Sequence, residues 1–336
     1  MIERALLVGL GSIGVRHLRL LREALPQADI RVLRHGGCDG DIPNADGCFA
    51  QLADALEFAP QIAVLSNPAP FHIETARQLA SIGAHLLIEK PLAEAAANVR
   101  GLLDLCRDKG VLLQVGYNLR FLESLQRFRA ELKSGRIGDV RMVRCEIGQY
   151  LPDWRPNADY RQSVSSQRSL GGGVLLELSH ELDMLHWVFG NVDWVGAWTG
   201  QLGKLEIDVE DSANLTLGFA SGAVGQLAMD FLRRDTTRHC IAIGDRGTLR
   251  WDAVASTVTA FDPDAGAWQG VVAVRAERDS TYRHQLSRFL AAVAAGSSDV
   301  VGATGEDGLA VLEIIEATHE SAKRDGQRTK VARVQA

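Results

Sequence analysis

The sequence predicts an α/β protein in two parts: a doubly wound parallel sheet, followed by an α/β domain built on a large, mostly antiparallel open sheet. Three observations predict it. Over roughly the first 120 residues, short continuously apolar runs alternate with helical stretches, as parallel strands covered on both faces do. A glycine-rich turn follows the first of these runs. Beyond residue 190 the runs alternate apolar with polar residues, the pattern of sheets with one wet face. A chain of 336 residues is long for a single core and suits two domains. The expected division is 1–120 and 121–336.

Taken in order, parallel strands are expected at 5–8, 30–33, 62–66, 84–88 and 111–115, with helices such as 14–25 and 73–82 between them. A helix over 123–133 stops near Gly135, and a strand follows over 140–150. Residues 151–170 read as a polar loop carrying Trp154, Arg155, Tyr160, Arg161 and Arg168. Gly171, Gly172 and Gly173 precede a helix expected to run unbroken to Phe189. Strands follow at 192–198, 213–219, 224–231, 240–243 and 248–251, the last two joined by the turn Gly244-Asp245-Arg246-Gly247. A last helix over 306–323 has Gly326 as its stop.

Composition narrows the possible partners. Hydrophobic residues make up 46% and charged residues 23%, as in soluble globular proteins. A net charge of −6 gives no reason to expect nucleic acid or a membrane surface. No run of about 18 apolar residues is present to span a bilayer. The cysteines (Cys38, Cys48, Cys106, Cys145, Cys240) are odd in number and scattered, with no Cys-x-x-Cys pair, so neither a zinc site nor a disulfide framework is indicated. The first strand starts within a few residues of Met1, leaving no room for a signal peptide. A reduced, cytoplasmic protein is the expectation.

The turn Gly9-Leu10-Gly11-Ser12-Ile13-Gly14 follows a strand and opens a helix. Gly9 permits the tight turn, Gly11 lets backbone approach a pyrophosphate, and Gly14 lets the helix pack close to the sheet. The helix start at Ser12 and Ile13 then offers N–H groups and a partial positive charge to phosphates. At the end of the second strand, an NAD site usually has an acid for the ribose 2′-hydroxyl. Here Arg34-His35-Gly36-Gly37 stands there. A guanidinium suits a 2′-phosphate, so NADP is expected to be preferred, with NAD possible. The plainer alternative is a solvated Arg34 at a strand end.

Later strands of the same sheet end in further polar residues. After Ser66, Asn67 either holds a ribose or carboxamide or caps the helix that follows. His72 joins the cofactor candidates, with an exposed helix-start histidine as the plain alternative. Glu89-Lys90-Pro91 ends the strand at 84–88, on the edge where open α/β sheets place ligands. Pro91 restricts Lys90 to extended conformations. Lys90 is expected beside the nicotinamide, and Glu89 is expected to accept from its ribose and keep Lys90 charged.

On a helical wheel, Leu175, Leu178, Leu182, Leu185 and Phe189 form one stripe, with Glu177, His180, Asp183 and Trp187 opposite. Two readings stand. One is a packed helix with a solvated polar face. The other is an acid–base face in which His180 exchanges a proton near neutral pH and Asp183 orients its ring. A metal is not expected: no cysteine or second close histidine joins the cluster, and hydride transfer needs none.

Together these residues resemble the Gfo/Idh/MocA family of NAD(P)-dependent sugar oxidoreductases. The resemblance rests on Gly9-x-Gly11-x-x-Gly14, Ser66-Asn67-Pro68 with His72, Glu89-Lys90-Pro91, Val115-Gly116-Tyr117-Asn118-x-Arg120, and Gly171-Gly172-Gly173 with His180-x-x-Asp183. It implies a Rossmann domain and a second domain whose open sheet makes homodimer or homotetramer contacts. It also implies that Lys90 hydrogen-bonds the reacting hydroxyl and His180 takes its proton. Members often carry Asp four residues before that histidine, whereas here Glu177 stands three before it. The loop Tyr150-Leu151-Pro152-Asp153-Trp154-Arg155-Pro156 is similar to that of a subset linked to bacterial surface-sugar and sialic-acid-like biosynthesis. Asn118, Arg120, Trp154, Arg155, Arg161 and Asp183 are the substrate candidates beside Lys90, the arginines suiting a carboxylate or phosphate. The substrate expected is a sugar, sugar acid or nucleotide sugar. Alternatives are a non-catalytic dinucleotide-binding regulator and a reductase of a non-sugar carbonyl.

Overall fold

A computed structural model describes residues 2–38, 40–274, 277, 279–296 and 302–332. The chain begins β1 (Arg4–Val8), α1 (Ser12–Ala24), β2 (Asp29–Leu33), β3 (Gly47–Phe49), α2 (Leu52–Glu57), β4 (Ile62–Leu65), α3 (His72–Ser81), β5 (His85–Ile88), α4 (Val99–Lys109) and β6 (Leu113–Val115). It continues α5 (Glu123–Lys133), β7 (Val140–Gly148), α6 (Val174–Glu177), α7 (His180–Phe189), β8 (Val192–Gly200), β9 (Ser212–Phe219), β10 (Val224–Asp230), β11 (Thr237–Gly244) and β12 (Thr248–Asp252). It ends β13 (Thr257–Asp262), β14 (Ala267–Ala273), α8 (Ser280–Ala295), β15 (Ala303–Thr304), α9 (Gly305–Lys323) and β16 (Thr329–Lys330).

Two compact units result, Met1–Asn118 with Asp279–Leu309, and Leu119–Arg278 with Ala310–Ala336. The first holds a seven-stranded sheet in the order β15-β6-β5-β4-β1-β2-β3. All its pairs are parallel except β15 on β6. The chain runs outward from β1 through β2 and β3, then returns to β4 on the other side. That reversal is the switch point at which such sheets open a ligand crevice at the strands' carboxyl ends. Leu7 sits in register with Val32 and Val64, and all three are fully buried. The chain passes between the units at three cuts, after Asn118, before Asp279 and after Leu309, the first of them near the expected residue 120. The second places α8 with the first unit, where Leu286 and Phe289 join the core around Leu7, Leu21 and Ile30. Burying such a side chain is worth about 1.5–3 kcal/mol.

The second unit holds a nine-stranded sheet in the order β14-β13-β12-β11-β7-β10-β9-β8-β16. It is antiparallel except for β10 beside β7. Along β7, Val143, Cys145 and Ile147 point to the covered face, while Met142 and Arg144 stay exposed. Trp251 is fully buried and donates from Nε1 to Ser124 Oγ at 3.0 Å, tying β12 to α5. β13 and β14, absent from the expected strands, extend this sheet. The helix expected to run unbroken to Phe189 is two helices, with Leu178 closing α6 at φ −97°, ψ 24°. Among the described residues, no helix is long and apolar enough to cross a membrane.

Candidate active site

The cofactor edge of the first unit is built around missing side chains. Gly9 has φ +86°, and a Cβ there would meet Asn67 N at 2.8 Å. A Cβ on Gly14 would meet Gly9 O at 2.3 Å, so α1 lies too close to the turn for any side chain. At Gly11, by contrast, nothing lies within 4 Å of the Cβ position. α1 starts there with no side-chain cap and no acid in its first turn. Its N–H groups at Ser12, Ile13 and Gly14 are therefore left for an anion. Asn67 caps neither of the helical turns after it. Its Oδ1 is shielded from water and has no hydrogen-bond partner among the described residues. An open cradle, a free helix start and an orphaned amide oxygen fit a dinucleotide.

Lys90 follows β5 on the same edge and is half-buried. The Lys90–Pro91 peptide is cis. Beneath it, Glu89 is buried, with His17 Nε2 at 2.7 Å from Oε1 and the Lys90 N–H donating to Oε2 at 3.2 Å. A carboxylate only accepts, so Nε2 carries the proton. Burial pushes the Glu89 carboxyl up, but the hydrogen bond and charge of His17 and the nearby Lys90 ammonium outweigh it and hold it below 4.5. Glu89 is thus committed to protein partners, not open to a ribose as the sequence implied. His72 is also corrected. It is 1% exposed rather than a surface residue, with Nε2 2.7 Å from Asn67 O and Nδ1 3.1 Å from Pro91 O. It sits between the Asn67 and Pro91 turns, and its neutral ring donates to one of the two carbonyls. Asn118 is buried and donates to Thr281 Oγ1 at 2.9 Å, a contact inside the first unit that a substrate role did not foresee.

His17 is the residue sequence reading missed. Gly14, His17, Leu18 and Leu21 are buried at i, i+3, i+4 and i+7 of α1. A polar side chain on that stripe was the available signal, because it needs a buried partner. Tyr282 of α8 packs edge-on to the His17 ring at 5.8 Å, and burial pushes its phenol up to about 12.

Arg34 donates its backbone N–H to Phe49 O at 3.1 Å, and among the described residues no carboxylate pairs with its guanidinium. Cys38 of the same loop is disulfide-bonded to Cys48, with Cα atoms 5.6 Å apart. The expected reduced state is therefore overturned for this pair. Linear spacing hid the pair, because β3 folds back parallel to β2 and sets Cys48 beside Val32.

In the second unit, the turn before α6 fits only glycine. Gly173 has φ +109°, and a Cβ there would sit 2.5 Å from the Glu210 carboxylate. Glu210 itself accepts from Leu175 N at 3.2 Å. Glu177 accepts from Ser165 Oγ at 2.8 Å. His180 opens α7 and is half-buried. Of the polar face Glu177, His180, Asp183 and Trp187, only Asp183 is fully buried, and the other three are half-buried. Asp183 is 1% exposed and takes a forked pair of hydrogen bonds from Arg120, at 2.6 Å and 3.0 Å. The Arg120 guanidinium also lies 5.6 Å from the Trp187 ring. Arg120 and Asp183, both expected at the substrate, form a buried ion pair instead. Glu181, one residue after His180, is 1% exposed and lies 2.7 Å from Arg238 Nε.

The loop 151–170 forms a recess of about 400 Å³ bordered by Trp154, Arg155, Tyr160, Gln162 and Ser165. Ser165 thus links the recess to Glu177. Trp154 is held by Phe231, edge-on at 5.3 Å, and by its own donation to Gln149 O at 3.2 Å. Arg161 is engaged by Asp159 at 2.9 Å and Glu206 at 3.3 Å. Arg155 is exposed, and no described carboxylate pairs with it.

Comparison with known proteins agrees with both halves. Residues 4–117 match the oxidoreductase family with an NAD-binding Rossmann fold, and residues 125–250 match the GFO/IDH/MocA C-terminal domain. The rhizopine catabolism protein MocA of Rhizobium meliloti is 27% identical over 95% of each chain. A D-xylose 1-dehydrogenase (NADP(+)) of Haloferax volcanii is 29% identical over 84% of this chain and 83% of its own. The WlbA dehydrogenase of Bordetella pertussis, solved with NADH and UDP-GlcNAcA, shares the fold with a TM-score of 0.80 over 99% of this chain and all of that one, at 23% identity. With its glycine cradle, its Lys90 turn and matches across both units, the chain belongs to the Gfo/Idh/MocA family of NAD(P)-dependent oxidoreductases, dehydrogenases acting on CH–OH groups.

Proposed function

We propose that this chain interconverts a hydroxyl and a carbonyl on a sugar, sugar acid or nucleotide sugar, with Lys90 and His180 as the groups that act on the reacting oxygen. The observation that carries the reading is the Lys90 turn. It ends a strand next but one to the glycine cradle and is braced from below by the buried residues His17, Glu89 and His72. The bound nicotinamide supplies the hydride acceptor or donor at C4. Lys90 orients the substrate oxygen and stabilises the charge that develops on it. His180 takes the hydroxyl proton during oxidation and returns it during reduction. Glu177, fixed by Ser165, supports His180 from the preceding turn.

Arg34 favours NADP through the 2′-phosphate, and the relative from Haloferax volcanii carries NADP(+) in its name. Arg155 contacts a carboxylate or phosphate on the substrate, with Trp154 packing on a sugar face. The first unit serves the cofactor, and the second serves substrate and subunit contacts. The exposed face of the nine-stranded sheet carries Met142, Trp198 and Val224, which suits a homodimer or homotetramer. Dependence on the cellular nicotinamide pool supports a cytoplasmic location.

The test is steady-state kinetics on a panel of levoglucosan, D-xylose, myo-inositol and a uridine-diphosphate sugar acid with either cofactor. Lys90→Ala and His180→Ala should keep cofactor binding and lose turnover. Near-full activity of either variant on a sugar the wild type oxidises removes that residue from the reaction.

A further inference from the structure

The loop after β2 is tied to β3 at both ends. At the near end, Arg34 N–H bonds to Phe49 O at 3.1 Å. At the far end is the Cys38–Cys48 disulfide. His35 to Cys38 lie outside the β2–β3 ladder, whose last pair is Leu33 with Phe49. Two glycines between the ties, one at φ +85°, leave that stretch little stiffness of its own. It folds back over Arg34, with the Gly36 Cβ position 3.2 Å from the guanidinium. The tie therefore bears on the guanidinium proposed above to meet the 2′-phosphate. Cys38 and Cys48 are both partly exposed, whereas Cys106, Cys145 and Cys240 are buried. The bonded pair is the one reachable by a thiol in solution. In a cytoplasmic setting, disulfides are transient and serve redox sensing or catalysis.

We propose that Cys38–Cys48 is a reversible redox modification site that sets how well this chain holds a 2′-phosphorylated dinucleotide, a role that rests on the reading of Arg34 given above. Its reductant is a dithiol. One thiolate of the reductant attacks one sulfur of the pair, and the S–S bond breaks through a mixed disulfide. The second thiolate displaces the remaining sulfur. Two electrons and two protons pass to the protein, leaving two cysteine thiols and a cyclic disulfide on the reductant. The released loop regains backbone freedom that cofactor binding must then remove. NADPH contacts this loop through its 2′-phosphate and loses affinity. NADH lacks that contact and is nearly indifferent.

The experiment uses the full chain, oxidised with diamide or reduced with dithiothreitol and then freed of reagent, and titrates NADPH and NADH by fluorescence. Thiols are counted after denaturation without reductant. The oxidised chain should show three free thiols, the number of unbonded cysteines, and the reduced chain five. Reduction should weaken NADPH by about tenfold, about 1.4 kcal/mol, and NADH by less than about twofold. The double variant Cys38→Ser with Cys48→Ser should bind like the reduced wild type and ignore dithiothreitol. Should that variant not fold, the wild-type pair of measurements still decides. Five thiols after oxidation overturn the proposal, and so does an NADPH affinity that reduction leaves unchanged. Arg34→Ala separates the two ideas. If it leaves the NADPH-to-NADH ratio unchanged, the Arg34 reading fails, while the oxidised and reduced wild type still judge the disulfide.

Discussion

Lys90 stands on buried polar groups, whereas Arg155 and Arg161 stand on water. Beneath Lys90, His17, Glu89 and His72 are each less than 10% exposed; His17 Nδ1 has no partner among the described residues, while His17 Nε2, both Glu89 oxygens and the His72 ring face one another or nearby backbone at hydrogen-bond distance. Around the recess of the second unit, Arg155 and Arg161 are exposed, and Arg161 shares its charge with Asp159 and Glu206. The chemistry of the side chains is similar, but the physics is not. A buried polar group left unpaired is costly, so each partner fixes the geometry of the next. A surface ion pair is screened and fixes little. Removing a partner should therefore hurt far more in the first setting than in the second.

The largest expected effect tests what the bracing serves. Lys90→Ala and His180→Ala should each lower kcat by roughly 10²–10⁴-fold, the range for a lost acid–base group. The dissociation constant for NADPH should stay within about twofold, as it should for a group acting only on the reacting oxygen. A loss carried by cofactor binding rather than kcat would mean the braced turn serves binding instead.

Next in size is the buried pair of the second unit. Asp183→Ala leaves the Arg120 guanidinium, 5% exposed, without its carboxylate, and breaking such a pair costs about 3–5 kcal/mol. Urea unfolding should show that loss. A shift in the substrate KM at unchanged stability would restore the substrate role that burial argues against.

Acid should loosen the Lys90 turn. Burial lowers the pKa of His72 below its ordinary 6.5, so the folded state prefers the neutral ring and unfolding takes up a proton. His72's contribution is whole above pH 6.5 and drains as pH falls through the folded-state value. Glu89 is held below 4.5, so its contribution is present above that pH and is lost on further acidification. Below pH 6.5, unfolding free energy should fall by up to about 1.4 kcal/mol per pH unit for one proton, until the folded ring also takes up its proton. His72→Gln should flatten that slope, and an unchanged slope would assign it to another group.

How much of this was legible depended on where the determining contact lay. The helix expected at 123–133 is found at Glu123–Lys133, because its stripe and its stop at Gly135 are local. The glycine cradle was legible because close backbone approach excludes every other residue. His17 was not, because its partner lies 72 residues away and a histidine in a helix reads as ordinary. Nor was the break at Leu178, where inward pairing of Glu181 and Asp183 overrides the regular wheel. α8 has a readable pattern, but nothing local says that Leu286 belongs with Leu7. The recess at 151–170 was legible as a loop, yet which of its arginines is already neutralised required coordinates.

That last distinction gives the smallest effect and the finest test of the comparison. Arg155 and Arg161 are six residues apart in one exposed loop and are indistinguishable in composition. Arg161 bonds Asp159 through Nε and Nη2 at 2.9–3.2 Å and reaches Glu206 at 3.3 Å. Its charge is answered before any substrate arrives, and an incoming anion would have to displace two carboxylates. Arg155 has no such partner among the described residues. A charge-assisted hydrogen bond from Arg155 should therefore be worth about a tenfold rise in KM for a carboxylate- or phosphate-bearing sugar on Arg155→Ala, with KM for a neutral sugar unmoved. Arg161→Ala should change either KM by less than about threefold, as surface pairs do. If Arg161→Ala proves the more damaging, the loop is prearranged around that residue, and the contrast between a braced Lys90 and a loosely held loop no longer holds.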